Sequence, residues 1–221
     1  MSHDQNRLPE HHNRWLPGWD VDHADLVDAP NPLPSPVSPA TVDAARSYRL
    51  DRLRRQLVAH DCPAILLYDP VNITYALDVS PMPVWMMHNS SHYALVFAEG
   101  PAIDFCYKGA DVLARNSPLV DESRLATNFI YIYGGQVQQR ADRWAQEIVD
   151  LLREHGDGSL RLAVDKCEPP ALLALQQREV EVVEGQELTE GARVIKSPDE
   201  IELMLWSVRV CEAAIERMRR Y

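Results

Sequence analysis

Apolar side chains recur along this chain at different periods, and each change of period marks a boundary. Residues 1–40 show neither a period of 2 nor one of 3.6; Pro9, Pro17, Pro30, Pro32, Pro34, Pro36 and Pro39 stand among Asp, His and Asn, a pattern that predicts an extended arm. From Thr41 the period becomes helical: Thr41 can cap, Ala45, Tyr48, Leu50, Leu53 and Leu57 form a stripe, and Arg46, Arg49, Arg52, Arg54 and Arg55 read as a solvated face with ion pairs. Short apolar runs bounded by turn residues then predict strands at 63–68, 72–77, 92–98 and 101–107, the last two joined through Glu99-Gly100 as a hairpin. A short helix is expected at 109–115, a strand at 127–133 before Gly134-Gly135, and an amphipathic helix at 137–154 that stops at Gly156. Strand 160–165, helix 169–176 opening on Pro169-Pro170, and strand 180–185 complete the series. Strands alternating with helices after an antiparallel section predict an α/β domain over 41–190, a mixed β-sheet covered by helices.

The last segment, 191–221, carries its own start signal. Ser197 as N-cap, Pro198 at the first helical position and Glu200 three residues after the cap form a capping box. Ile201, Met204, Val208, Cys211, Ile215 and Met218 continue the apolar stripe to the final turn. We read this stretch as a linker and the first helix of a further domain against which the stripe would pack.

The residues with the most unusual chemistry fall between Tyr68 and Phe97. Asp69-Pro70 starts a turn, Pro81 and Pro83 keep the middle irregular, and Trp85, Met86, Met87, His88 and Asn89 cluster where a plain connection needs no such side chains. Two readings stand: core packing beneath a long loop, or one wall of a ligand pocket.

Composition narrows the function. A net charge of −11 is the wrong field for nucleic acid or an anionic membrane. Cys62, Cys106, Cys167 and Cys211 are widely spaced, with no disulfide framework, and no apolar run approaches the ~20 residues of a membrane span. The amino terminus MSHDQNRLPEHHNRW has no secretory apolar region, so a cytoplasmic location is expected. His11-His12 reads as solvated, whereas Trp15 and Trp19 suggest that the arm lies on a folded surface. His88 and His92 are spaced i, i+4 but flank a Ser-Ser turn with no nearby carboxylate, so no metal site is assigned to them.

Two segments carry a resemblance. YDPVNITYAL (68–77), with Asn72, Ile73 and Tyr75, and RVIKSPDEIELM (193–204), with Arg193, Lys196, Ser197, Pro198, Glu200 and Ile201, are similar to the amino-terminal domain of the M24 or "pita-bread" metalloenzymes, which include creatinase, prolidase and aminopeptidase P. The run DPVNITYALD, the VW and HN pairs, LRLAVDK (160–166) and EGQELTEGARVIKSPDEI (184–201) most resemble the branch of dimethylsulfoniopropionate lyases, which cleave that zwitterion to dimethyl sulfide and acrylate. Where that branch would place an aromatic and an arginine after His88-Asn89, this chain has Ser90, Ser91 and His92. The resemblance implies a creatinase-like fold, homodimers, and a dinuclear divalent metal site (Fe, Zn or Mn) whose ligands belong to the second domain, leaving no metal, no catalytic residue and no cofactor in this chain. It further implies that a small-molecule or dipeptide substrate is bound through that second domain and walled by Trp85, Tyr75 and His88, the aromatics facing a cation and His88 donating to a carboxylate. For Tyr75 a packed strand residue, and for His88 a locally bonded loop residue, remain the competing readings. The rival from another class is a stand-alone α/β module that binds a partner or dimerises through the Trp15, Trp19 and terminal-helix surfaces.

Overall fold

The structure, a computed structural model, describes residues 37–219. The arm expected over 1–40, with His11, His12, Trp15 and Trp19, lies outside the described residues except for its last four positions. Helix α1 (Pro39–Ala59) begins two residues earlier than predicted, because Ser38 is the cap: its Oγ accepts the Thr41 N–H at 3.1 Å and Pro39 occupies the first turn. Leu50, Leu53 and Leu57 are buried as the stripe requires. Two of the arginines make the expected ion pairs, but four of the five are half-buried rather than solvated. Arg46 reaches Asp78 (2.7 Å), Arg49 reaches Glu200 (2.8 Å), Arg52 donates to the Gly191 and Ala192 carbonyls, and Arg54 donates to the Phe97 and Gly100 carbonyls. Four side chains thus tie α1 to four different parts of the fold, and each guanidinium suits the task because it presents several donors in one plane.

Six strands follow: β1 (Ala64–Leu67), β2 (Tyr93–Phe97), β3 (Ala102–Cys106), β4 (Glu122–Leu125), β5 (Arg161–Val164) and β6 (Glu181–Glu184), in spatial order β4-β3-β2-β1-β5-β6. β2 is antiparallel to both β1 and β3, and the other pairings are parallel, so β2 runs against the remaining five. The period of 2 sorts the core into two layers. Ala64, Leu66, Tyr93, Leu95, Phe97, Ile103 and Phe105 face α5 (Val137–His155) and α6 (Pro169–Gln176), where Trp144 and Ile148 are fully buried. Ile65, Leu67, Ala94, Val96 and Ala163 face α1, α2 (Pro70–Leu77) and α7 (Gln186–Arg193). The predicted mixed sheet covered by helices is therefore present. Its two edges carry charge, with Glu122 and Arg124 on β4 and Glu181 paired to Arg161 on β6, which discourages strand addition. Gly185 is needed for close approach: a Cβ there would stand 2.6 Å from the Val164 carbonyl carbon.

Four assignments are corrected. Residues 72–77 form helix α2, not a strand, because Ile73, Ala76 and Leu77 bury one helical face while Asp69 caps the start and Pro70 fills the first turn. The strand expected at 127–133 lies earlier, at β4, and Tyr131–Tyr133 is a single exposed 3₁₀ turn. The loop holding Trp85 contains a short helix, α3 (Pro83–His88), and α4 (Asp111–Arg115) starts two residues later than predicted. Finally α8 (Pro198–Met218) has the full capping box, Ser197 Oγ accepting from Glu200 N and Glu200 Oε2 accepting from Ser197 N, each at 3.1 Å. Beyond its first turn the apolar positions Ile201, Met204, Val208, Ile215 and Met218 are all exposed. Among the described residues no helix is long and apolar enough to cross a membrane.

Candidate functional site

Because five strands run one way, their carboxyl ends and the start of β2 meet at one end of the sheet. Connections leaving that end position every candidate side chain, as expected for a sheet of this kind. Asp165, just past β5, anchors it: its carboxylate accepts from Tyr68 N (2.7 Å), Asp69 N (3.1 Å) and Asn72 Nδ2 (3.0 Å), fixing the entry into α2. Burial pushes the Asp165 carboxyl above the usual range, and those three hydrogen bonds pull it back. Asn72 Oδ1 in turn accepts from Arg193 (3.1 Å), and the Tyr75 hydroxyl donates to the Ala192 carbonyl (3.0 Å). Arg49 completes the array, with its guanidinium 5.8 Å from the Tyr75 ring centre and bonded to Glu200. The two motifs that carried the family resemblance, Asn72-Ile73-Tyr75 and Arg193 to Ile201, are thus joined by one direct hydrogen bond, Arg193 to Asn72, beside the bond from Tyr75 to the neighbouring Ala192.

On the far side of α2 the chain turns through α3. Met82, Pro83, Val84, Trp85 and His88 line an open, almost wholly apolar cavity of about 590 Å³. Met87 beside it is also exposed, whereas Met86 is fully buried as an anchor. The helix is tethered at its end: Lys166 Nζ donates to the Met87 carbonyl (3.0 Å), Ser90 Oγ donates to Glu168 (3.0 Å), and Trp85 Nε1 donates to Ser91 Oγ (3.2 Å). Beneath lies a fully buried pair, His92 Nε2 to Asp104 Oδ1 at 2.6 Å, with His92 Nδ1 and Asp104 Oδ2 left without a protein partner.

The structure brings Trp85 and His88 into one cavity and places Tyr75 in another, of about 360 Å³, with Arg49, Glu190, Arg193, Val194, Lys196, Glu200 and Met204. Trp85 is 42 % exposed, so it is not core packing, while Tyr75 is half-buried with its hydroxyl already bonded. Burial, reinforced by Glu200, pushes the Tyr75 phenol up to about 12. Its folded value therefore exceeds the ~10 of an unfolded tyrosine, so the stability it contributes is present below pH ~10 and is lost as pH rises toward about 12. Burial pushes the Tyr68 and Tyr93 phenols up as well, so an ultraviolet titration of phenolate is expected to show several late ionisations, of which the one near pH 12 disappears in Tyr75→Phe.

Sequence reasoning did not single out Ser91, Asp104 or Asp165. Asp104 had a signal, a charged residue inside the apolar strand AIDFC, which demands a buried partner. Ser91 had none. The amino termini of α2 and α7 spend their N–H groups on Asp69 and Glu184, and α6 opens on two prolines that have none. Among the described residues no group of three or more His, Cys, Asp or Glu side chains could hold a metal ion, His88 stands in an apolar cavity and His92 is bonded to Asp104. The dinuclear metal that the resemblance implies, with ligands from a second domain, finds no ligand set among the described residues.

Comparison with known proteins agrees with this geometry. Residues 49–195 match the Creatinase/Prolidase N-terminal domain family. Two dimethylsulfoniopropionate lyases named DddP are similar in sequence: that of Roseovarius nubinhibens is 39% identical over 177 residues and that of Roseobacter denitrificans 38% over 179. Each match takes in 80% of this chain but only 40% of the relative, so the chain spans well under half the length of these enzymes. Among solved structures, a dipeptidase from Pyrococcus horikoshii aligns with a TM-score of 0.54 at 16% identity, covering 78% of this chain and 44% of that one. A Xaa-Pro dipeptidase from Bacillus anthracis aligns equally, at 0.54 and 16%, covering 79% and 43%. At that identity the likeness is one of fold. The match over 49–195, seated on the mixed sheet and the paired motifs described above, makes this chain a member of the creatinase/prolidase amino-terminal domain family of M24-type proteins.

Proposed function

We propose that this chain is the non-catalytic amino-terminal domain of a dimethylsulfoniopropionate lyase-type enzyme, and that its role is to wall the substrate site with α3. The observation that carries this reading is the open apolar cavity in which a partly exposed indole, Trp85, sits beside His88 at the carboxyl end of the sheet. The likeness to the two lyases, at 39% and 38% identity, supports the substrate class. Dimethylsulfoniopropionate is a sulfonium at one end and a carboxylate at the other. An aromatic face attracts the first by ~0.5–2 kcal/mol, and an imidazole N–H bonds the second. Tyr75 would act behind the wall, since its hydroxyl is held by Ala192.

In this reading the metals, their ligands and the catalytic groups belong to a following domain, onto which the exposed stripe of α8 would pack. The working enzyme would be a cytoplasmic homodimer. The test uses the full-length enzyme and measures dimethyl sulfide release. Trp85→Ala is expected to raise KM for dimethylsulfoniopropionate about tenfold, the equivalent of ~1.4 kcal/mol, and the 221-residue chain alone to release none. Unchanged KM in Trp85→Ala, or turnover by the isolated chain, would end the proposal. Cleavage of a Xaa-Pro dipeptide with no dimethyl sulfide would move the chain to the peptidases whose fold it shares.

A further inference from the structure

The three residues that replace the expected aromatic and arginine each have a definite partner: Ser90 bonds Glu168, Ser91 bonds Trp85 and His92 bonds Asp104. Of these only Ser91 touches the proposed wall. We propose that Ser91 is the positioning residue that turns the face of Trp85 outward, an inference that rests on Trp85 lining the substrate site. The polarity of its contacts is the reason. A serine hydroxyl has one proton, and Ser91 donates it to Met86 Sδ at 3.4 Å. Only lone pairs remain for the indole, and Trp85 Nε1–H donates to them at 3.2 Å. Met86 is fully buried and Ser91 only 1% exposed, so the acceptor cannot swing away. Ser91 N is also bonded to the Asn89 carbonyl at 2.8 Å, which fixes the turn that carries it.

The consequence is chemical. Trp85 has one polar atom, and that atom is committed inward. What it offers the cavity is ring face and carbocyclic edge, flanked by Met82, Pro83 and Val84. Such a surface recognises an alkylated cation through its methyl groups and positive charge, and offers no N–H to a carboxylate. Releasing the indole by Ser91→Ala would let the ring rotate and present its N–H, weakening the contact without touching the reacting atoms. Ser91→Thr keeps the hydroxyl.

The experiment has two arms. In the 15N-labelled 221-residue chain, the Trp85 indole resonance, assigned by its loss in Trp85→Phe, is expected to shift and to exchange with solvent several-fold faster in Ser91→Ala, and to return toward wild type in Ser91→Thr. In the full-length enzyme, Ser91→Ala is expected to raise KM for dimethylsulfoniopropionate about three- to tenfold with kcat within about twofold, as fits partial loss of a cation–aromatic contact, while Ser91→Thr stays near wild type. An indole resonance unmoved in Ser91→Ala overturns the inference, and so does an unmoved KM in Ser91→Ala when Trp85→Ala raises it. If Trp85→Ala itself leaves KM unchanged, the wall reading has failed and the inference falls with it, a case told apart because the resonance arm still reports an anchored indole.

Discussion

Asp104→Ala is expected to lower the free energy of unfolding by about 2–4 kcal/mol, because a fully buried histidine loses its hydrogen-bond partner and a void opens beside it. His92 and Asp104 are both fully buried, and their one contact is 2.6 Å long. With the carboxylate gone, His92 would have both ring nitrogens without a protein partner, since Nδ1 already lacks one. Urea unfolding followed by circular dichroism measures the loss. His92→Leu combined with Asp104→Leu should cost clearly less than the two single substitutions added together, because an apolar pair leaves no orphan. A double variant whose loss equals that sum would show that the two side chains do not act as a pair.

The second large effect is expected at Asp165→Ala, about 2–4 kcal/mol. Three donors lose their acceptor at once: Tyr68 N, Asp69 N and Asn72 Nδ2. Because Asn72 also holds Arg193, the loss should spread along α2 to α7. Hydrogen exchange is the discriminating measurement, with Tyr68 and Asp69 amides expected to lose protection in Asp165→Ala and to keep part of it in Asp165→Asn, which retains one acceptor oxygen. Protection unchanged at both amides would remove Asp165 from its anchoring role.

Local signals were legible in the sequence, and long-range ones were not. The capping box at Ser197 and Glu200 is written within four residues and stands in the structure as read. The amphipathic pattern of α5 likewise survives, because Trp144, Ile148 and Leu152 repeat every fourth position and all are buried. Segment 72–77 misled because Ile73, Thr74 and Tyr75 favour strands, a weak preference that the burial of Ile73, Ala76 and Leu77 on one helical face overrides. The alternation in TNFIYIY looked like a strand, whereas the real edge strand, ESRL, is mostly exposed and has no apolar period to betray it. The candidate site divides the same way. Trp85 and His88 lie three residues apart and share a cavity, whereas Asn72 meets Arg193 across 121 positions and Asn72 meets Asp165 across 93, distances over which no pattern in one sequence carries information.

The bond between Arg49 and Glu200 has a mechanical consequence. It grips the first turn of a 21-residue helix that would reach about 31 Å from the body of the fold. Such a rod is a lever: a tilt of ~10° at the grip swings its tip by about 5 Å. A change at Arg49 or Glu200 should therefore be felt least where it is made and most a helix-length away.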